Sequence, residues 1–224
     1  MTLNRTTDPA ALAVEAAPLV FRTDLDQPGF AHFDLGTGLE PSAFRRLLVR
    51  AGQALANLYE ERFGVALHFV SVSRFDQQAA TRPHRDGGPD ASVLLLGYEP
   101  TEVASRVYLM DYTRASRERG LTPLAYLDCC NPAFGGDEQA LHAHTTEVTA
   151  FRPGHFQILV VNNSCLPWEE RQRGMLGLLH HAVIPAPRPG LSRPIDSLLM
   201  GLVAEGLDEV ALAAYVEGAK AATR

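Results

Sequence analysis

Apolar and polar positions along this chain follow a helical period in one region, a strand period in several others, and no period in between. From Pro41 to Arg62 the apolar residues Phe44, Leu47, Leu48, Ala51, Leu55, Leu58 and Tyr59 recur at helical spacing, and Gly64 follows. The pattern predicts an amphipathic helix over 41–62, stopped by a glycine. Residues 1–40 hold turn signals at Gln27-Pro28-Gly29 and Gly36-Thr37-Gly38 and read as an irregular segment. Beyond the helix, Val65 to Phe75 alternates and is rich in β-formers, and Ser92 to Tyr98 is a short apolar run. Both predict strands, as do Arg106–Tyr112, Thr145–Phe151, Phe156–Asn162, Met175–Ile184 and Arg193–Leu202, separated by turns containing Pro and Gly. Thr122-Pro123 marks the start of a short helix that ends before Asn131-Pro132. Asp208 is placed to cap a last helix, giving an element over 207–222.

Seven or eight short strands that do not alternate with helices predict a mainly β chain with flanking helices, a sandwich or squashed barrel rather than a parallel α/β sheet. The 224 residues suit a single domain: the irregular 1–40, the helix 41–62, a β core over 63–202 with an insert at 99–144, and the C-terminal helix. An apolar share of 46% is enough for a core without disulfides.

Charge narrows the partners. Twenty Lys and Arg stand against 26 Asp and Glu, a net −6, with no basic run, so a nucleic-acid surface is not expected. The N-terminal stretch lacks the apolar core of a signal peptide, and no later segment is long enough to span a bilayer. Three cysteines, two of them adjacent (Cys129 and Cys130), form no disulfide framework and suit a cytoplasmic protein.

The residues that carry chemistry are His84 and Asp86. In extended chain, residues i and i+2 point the same way, so this imidazole and carboxylate can meet one cation. Gly87, Gly88 and Pro89 let the chain turn away behind them. A distant imidazole would complete a two-histidine, one-carboxylate set with open positions, the arrangement of non-heme Fe(II) oxygenases. Nearly a hundred residues on, LGLLHHAVIP supplies His180 and His181, and Arg193 opens the final strand.

This order (HxD, a distal His on a late strand, then a basic residue on the next) resembles the Fe(II)/2-oxoglutarate-dependent oxygenases over roughly residues 63–200. The resemblance implies a double-stranded β-helix core of the jelly-roll or cupin-like kind. It also implies Fe(II), 2-oxoglutarate and O₂ as cofactor and co-substrates, with a small-molecule or amino-acid-like group as substrate. His84, Asp86 and a distal histidine would hold the metal, and Arg193 would pair with the far carboxylate of 2-oxoglutarate, a task that suits a guanidinium fork. Arg188 is the lesser alternative for that anchor. The serine that often follows two residues after the arginine is replaced by Ile195, and no clear tyrosine precedes HxD. Adjacent strand residues face opposite ways, so only one of the two histidines can reach the metal. His181 matches the family's H-x-V pattern and is preferred, whereas His180 gives the cleaner apolar alternation with Leu176, Leu178, Ala182 and Ile184.

Two rival readings remain. His142, His144 and Glu147 resemble the first cupin metal motif, with the spacing to Glu147 one residue short. Alternatively, the HxD is a capped turn in a non-catalytic β-sandwich binding module. Asn162 or Asn163 is placed to contact a ligand or simply to end a strand, and Trp168 sits on a loop that would suit a lid.

Overall fold

The computed structural model describes residues 2–3, 7–136, 138–218 and 221–223. Its elements in chain order begin with β1 (Thr2–Leu3), α1 (Pro9–Val20), β2 (Phe30–Gly36), α2 (Pro41–Phe63), β3 (His68–Asp76) and β4 (Ser92–Tyr98). Next come β5 (Arg106–Met110), α3 (Tyr112–Glu118), α4 (Pro123–Cys130) and β6 (Thr145–Glu147). The chain finishes with β7 (Phe156–Asn162), β8 (Leu179–Val183), β9 (Pro194–Gly201), α5 (Glu209–Val216) and β10 (Ala221–Thr223).

The strands form two sheets. The larger has the order β1-β2-β7-β4-β9-β3-β10 and the smaller β6-β5-β8. All pairings are antiparallel except β1 with β2. Apolar side chains of both sheets share one core: Leu94, Leu96, Ile195 and Leu199 of the larger sheet meet Val107 and Leu109 of the smaller. The opposite face of the larger sheet is covered by α1, α2 and α5 through Leu12, Phe44, Leu48, Leu55 and Tyr215. On the outer face of the smaller sheet, Met110 and Leu179 pack against Tyr112, Ala115 and Tyr126 of α3 and α4. Strands β4 and β7 are therefore buried at every residue, which is why they are read as continuous apolar runs rather than alternating ones.

Helix α2 follows its sequence pattern: Pro41 at the start, Phe44, Leu47, Leu48, Ala51, Leu55 and Tyr59 buried, and Gly64 left-handed with its N–H on the Glu60 carbonyl. Close approach to the sheet is needed at Gly97, where an added Cβ would lie 2.5 Å from Leu48.

Three expectations require correction. The irregular 1–40 holds α1 and β2. Asp8 caps α1 and Pro9 takes its first turn, so these two residues are its start signal. The insert 99–144 is also more regular than expected, since it carries α3, capped by Asp111, beside α4. The last helix starts at its Asp208 cap but stops at Val216, and Gly218 takes a positive φ of 110°. Residues 221–223 pair with β3 as a strand, and the part of the expected helix at 219–220 lies outside the described residues.

Candidate metal centre

The segment carrying His84 runs between the two sheets and is pinned at both ends. His84 and His180 exchange backbone hydrogen bonds of 3.0 and 2.9 Å, an antiparallel bridge that adds residue 84 to the edge of β8. Two residues later the Asp86 N–H donates to Asn163 Oδ1 at 2.9 Å, and Asn163 Nδ2 donates to the Asp86 carbonyl at 3.1 Å. The turn that follows passes close to β9, where a Cβ on Gly88 would lie 2.4 Å from the Leu199 side chain.

This pinning brings three donor groups together. His84 Nε2 is 3.5 Å and His180 Nε2 3.7 Å from the same Asp86 oxygen, and all three ligand atoms lie within 4.8 Å of one another. Among the described residues this is the one group of three or more His, Cys, Asp or Glu with metal-ligand spacing. The Arg82 carbonyl accepts from His84 Nδ1 at 2.7 Å, which leaves the Nε2 lone pair facing Asp86. Burial holds the His180 pKa down at about 4, so this ring is neutral near pH 7 and free to ligate. Burial also pulls on His84, but hydrogen bonds to Asp86 and the Arg82 carbonyl leave its pKa raised. For Asp86, desolvation is outweighed by the two histidines and Ser197, and the carboxyl stays below its usual range.

A cavity of about 60 Å³, several times what one water needs, opens beside the cluster. His84, Asp86, His180, Gln77, Thr81, Tyr98 and Arg193 line it. Arg193 is 1% exposed, and burial lowers its pKa. One terminal nitrogen donates to the Gln77 carbonyl at 3.2 Å, and the other has no partner. No carboxylate lies within ion-pair distance of the guanidinium among the described residues: Asp76 accepts from the Arg193 backbone N–H instead. The guanidinium carbon lies 5.5 Å from the centre of the Tyr98 ring.

The sequence expectations sort clearly against this geometry. His84 and Asp86 are in the cluster, and the histidine that the structure brings to them is His180 rather than the preferred His181. His180 shares a strand face with Ala182 and is paired across from Leu109, in the space between the sheets. His181 borders the cavity, but its ring stacks on Tyr108 at 5.0 Å, on the face where Leu179 packs below α3 and α4. Arg193 reaches the cavity, whereas Arg188 is exposed and pairs with Glu102 at 3.1 Å. The cupin set is not assembled. His142 is exposed in a 3₁₀ turn, His144 pairs with Glu118 at 3.0 Å, and Glu147 is exposed on β6. Trp168 lies away from the cavity, its ring covered by Arg117 at 3.8 Å.

Sequence reasoning missed Tyr98 and Ser197. Ser197 Oγ lies 3.5 Å from Asp86 Oδ2, two residues past Ile195 on the face of β9 that also presents Arg193. Counting by two from Arg193 would have found it. Tyr98 ends a strand buried on both faces, where no alternation tells inward from outward.

No family model matches the chain, and no curated protein matches it in sequence. Among solved structures it is similar to a taurine dioxygenase from Burkholderia xenovorans, at 11% identity and a TM-score of 0.44 over 100% of this chain and 90% of that one. It is also similar to apo HygX from Streptomyces hygroscopicus, at 14% identity and a TM-score of 0.37 over 82% and 79% of the two chains. At these TM-scores neither likeness bears on what this chain does.

Proposed function

We propose that this chain is an Fe(II)- and 2-oxoglutarate-dependent oxygenase of the hydroxylase type, acting on a small-molecule or amino-acid-like substrate. The observation that carries the reading is the buried Arg193 guanidinium, which faces the cavity of the His84–Asp86–His180 cluster and, among the described residues, has an unpartnered nitrogen and no carboxylate. A buried cation without an anion is costly, and a dicarboxylate whose far end reaches it would remove that cost.

The residues present fit the metal. Two imidazole nitrogens and one carboxylate oxygen meet, and the donors are hard enough to hold Fe(II) without the thiolates that select softer ions. Iron bound there would supply oxidation of a substrate C–H bond by O₂, coupled to conversion of 2-oxoglutarate to succinate and CO₂. The chain's own work is to hold three ligands rigidly, fix the far carboxylate with two charge-assisted hydrogen bonds from Arg193, and keep water away behind Leu96, Tyr98 and Ile195.

The order of strands supports a double-stranded β-helix as the scaffold. After β3 in the larger sheet, the chain visits the smaller at His84, returns as β4, crosses for β5 and β6, returns as β7, crosses as β8 and returns as β9. We also read the protein as cytoplasmic and without nucleic-acid partners. Its three cysteines are free, no described helix is long and apolar enough to cross a membrane, and the net charge is −6.

Anaerobic thermal melts with Fe(II), with and without 2-oxoglutarate, test the function. Stabilisation by 2-oxoglutarate only when Fe(II) is present, with a weak visible charge-transfer band, is the expected result. A chain that 2-oxoglutarate neither stabilises nor colours is not this oxygenase, and the binding-module reading then takes its place.

A further inference from the structure

We infer that Asn163 is a positioning residue for the carboxylate corner of the metal centre, an inference that rests on the metal-site reading above. Asp86 contributes its side chain to the cluster, but its place is set through its backbone. Both backbone polar groups of Asp86 are taken by one side-chain amide: the N–H donates to Asn163 Oδ1 and the carbonyl accepts from Asn163 Nδ2. The amide does for residue 86 what a neighbouring strand does for a residue in a ladder, and what His180 does for His84 two positions earlier.

The clamp is itself held. Asn163 is fully buried, its N–H donates to the Ser92 carbonyl at 2.9 Å, and Nδ2 makes a second bond to Ser92 Oγ at 3.0 Å. Its carbonyl accepts from Arg85 Nε at 3.0 Å and from Ser92 Oγ at 3.2 Å, tying the residue between His84 and Asp86 to the same point. This network fixes which way the amide faces, since a flipped amide would set its NH₂ group against the Asp86 N–H. His84 is therefore held by the smaller sheet and Asp86 by Asn163, the residue that follows β7 of the larger. The neighbouring Asn162 does a different task. Its amide joins the Val20 and Gly174 carbonyls, away from the cluster.

The test uses Co(II) alone as probe, under nitrogen, on the full chain. Affinity comes from titrating the visible Co(II) bands, and melts are recorded with and without the ion. Asn163→Ala is expected to bind Co(II) about 10- to 100-fold more weakly, the usual loss when a partner behind a ligand is removed. Its Co(II) spectrum should change shape as the Asp86 oxygen leaves the ion. The metal-dependent rise in melting temperature should shrink by more than the fall of the metal-free protein, which a merely structural role would not produce. Ser92→Ala removes the two bonds that its hydroxyl makes with Asn163, one accepted from the amide and one donated to the backbone carbonyl, and leaves the clamp on Asp86, so its affinity should fall only severalfold. If Asn163→Ala does not fold, Ser92→Ala decides: unchanged affinity and spectrum overturn the inference. A folded Asn163→Ala that binds within about twofold of wild type, with the same spectrum, also overturns it and leaves the metal site standing. A wild-type chain that takes up no Co(II) overturns both.

Discussion

Strand β9 separates two polar clusters that look alike by composition and differ in whether their cations are paired and whether they face a cavity. On the face toward the helices, Arg74 makes two hydrogen bonds of 2.9 and 3.0 Å to Glu99, and Arg45 lies 3.7 Å from the same carboxylate. Arg45 Nε also donates to the Val216 carbonyl, and Tyr215 donates its hydroxyl to Asp196 at 2.8 Å. Each of these cations has its anion and α5 closes over the group, although Asp196 Oδ2 has no partner among the described residues. On the opposite face, among the described residues, Arg193 has no anion and His180 Nδ1 no partner, and three ligand atoms converge beside a cavity. Charge density alone would rank the helix-side cluster higher. An unpaired guanidinium and three converging ligand atoms facing a space are what distinguish the cavity side, because folding alone does not stabilise such an arrangement.

The sharpest way to break this contrast is to remove single ligands. His84→Ala, Asp86→Ala and His180→Ala should each abolish Fe(II) binding in an anaerobic titration, with the fold intact by circular dichroism. His181→Ala should keep affinity within a few-fold, since that ring stacks on Tyr108 outside the cluster. Loss of iron in His181→Ala with retention in His180→Ala would reverse the assignment of the two strand faces.

Next in size is the anchor. Arg193→Ala should raise the 2-oxoglutarate concentration needed for succinate release by at least about a hundredfold, from the loss of two charge-assisted bonds of roughly 1.5–3 kcal/mol each. Arg193→Lys should recover part of this, because an ammonium lacks the bidentate fork. Arg188→Ala, which alters an exposed ion pair, should change little. A large effect at Arg188 and none at Arg193 would move the anchor out of the cavity.

The helix-side cluster makes its own prediction, visible in stability rather than binding. Burial, partly offset by Tyr215, raises the Asp196 pKa to about 6 from a usual 3.8. A carboxyl with a raised folded pKa is held protonated, so its contribution is full below about pH 4 and lost as pH rises through about 6. Asp196→Asn removes the ionisation and keeps an oxygen for Tyr215. Its unfolding free energy relative to wild type should therefore rise between pH 4 and 7, by about 2–3 kcal/mol as an upper order of magnitude. Urea unfolding at several pH values measures it. A pH-independent difference would show that Asp196 is an ordinary carboxylate in this cluster.

The smallest effect concerns the cupin-like residues. His142→Ala, His144→Ala and Glu147→Ala should leave Fe(II) affinity within about twofold and stability within roughly 0.5–1 kcal/mol, because two are exposed and the third holds a single partly exposed ion pair.

Local signals in this chain were enough for local facts. The amphipathic period and Gly64 define α2, Thr122-Pro123 and Asn131-Pro132 bracket α4 at Pro123–Cys130, and turn residues bound β4 and β7 at Ser92–Tyr98 and Phe156–Asn162. The spacing of His84 and Asp86, and their place after a strand, belong to the same category. Helix α1 was missed although Asp8-Pro9 marks its start, because its Ala-rich stretch lacks a strong period. What the tertiary structure decided depends on partners far along the chain. His180 rather than His181 is chosen because the space between the sheets lies on that face of β8. The sequence hinted at it in the alternation of Leu176, Leu178, His180 and Ala182, against a motif pattern that favoured the neighbour. The Asn163 amide meets Asp86 across 77 positions, and Asp76 accepts from the Arg193 backbone N–H rather than pairing with its guanidinium. Such bonds leave no periodic trace, since their geometry exists only once both sheets are in place.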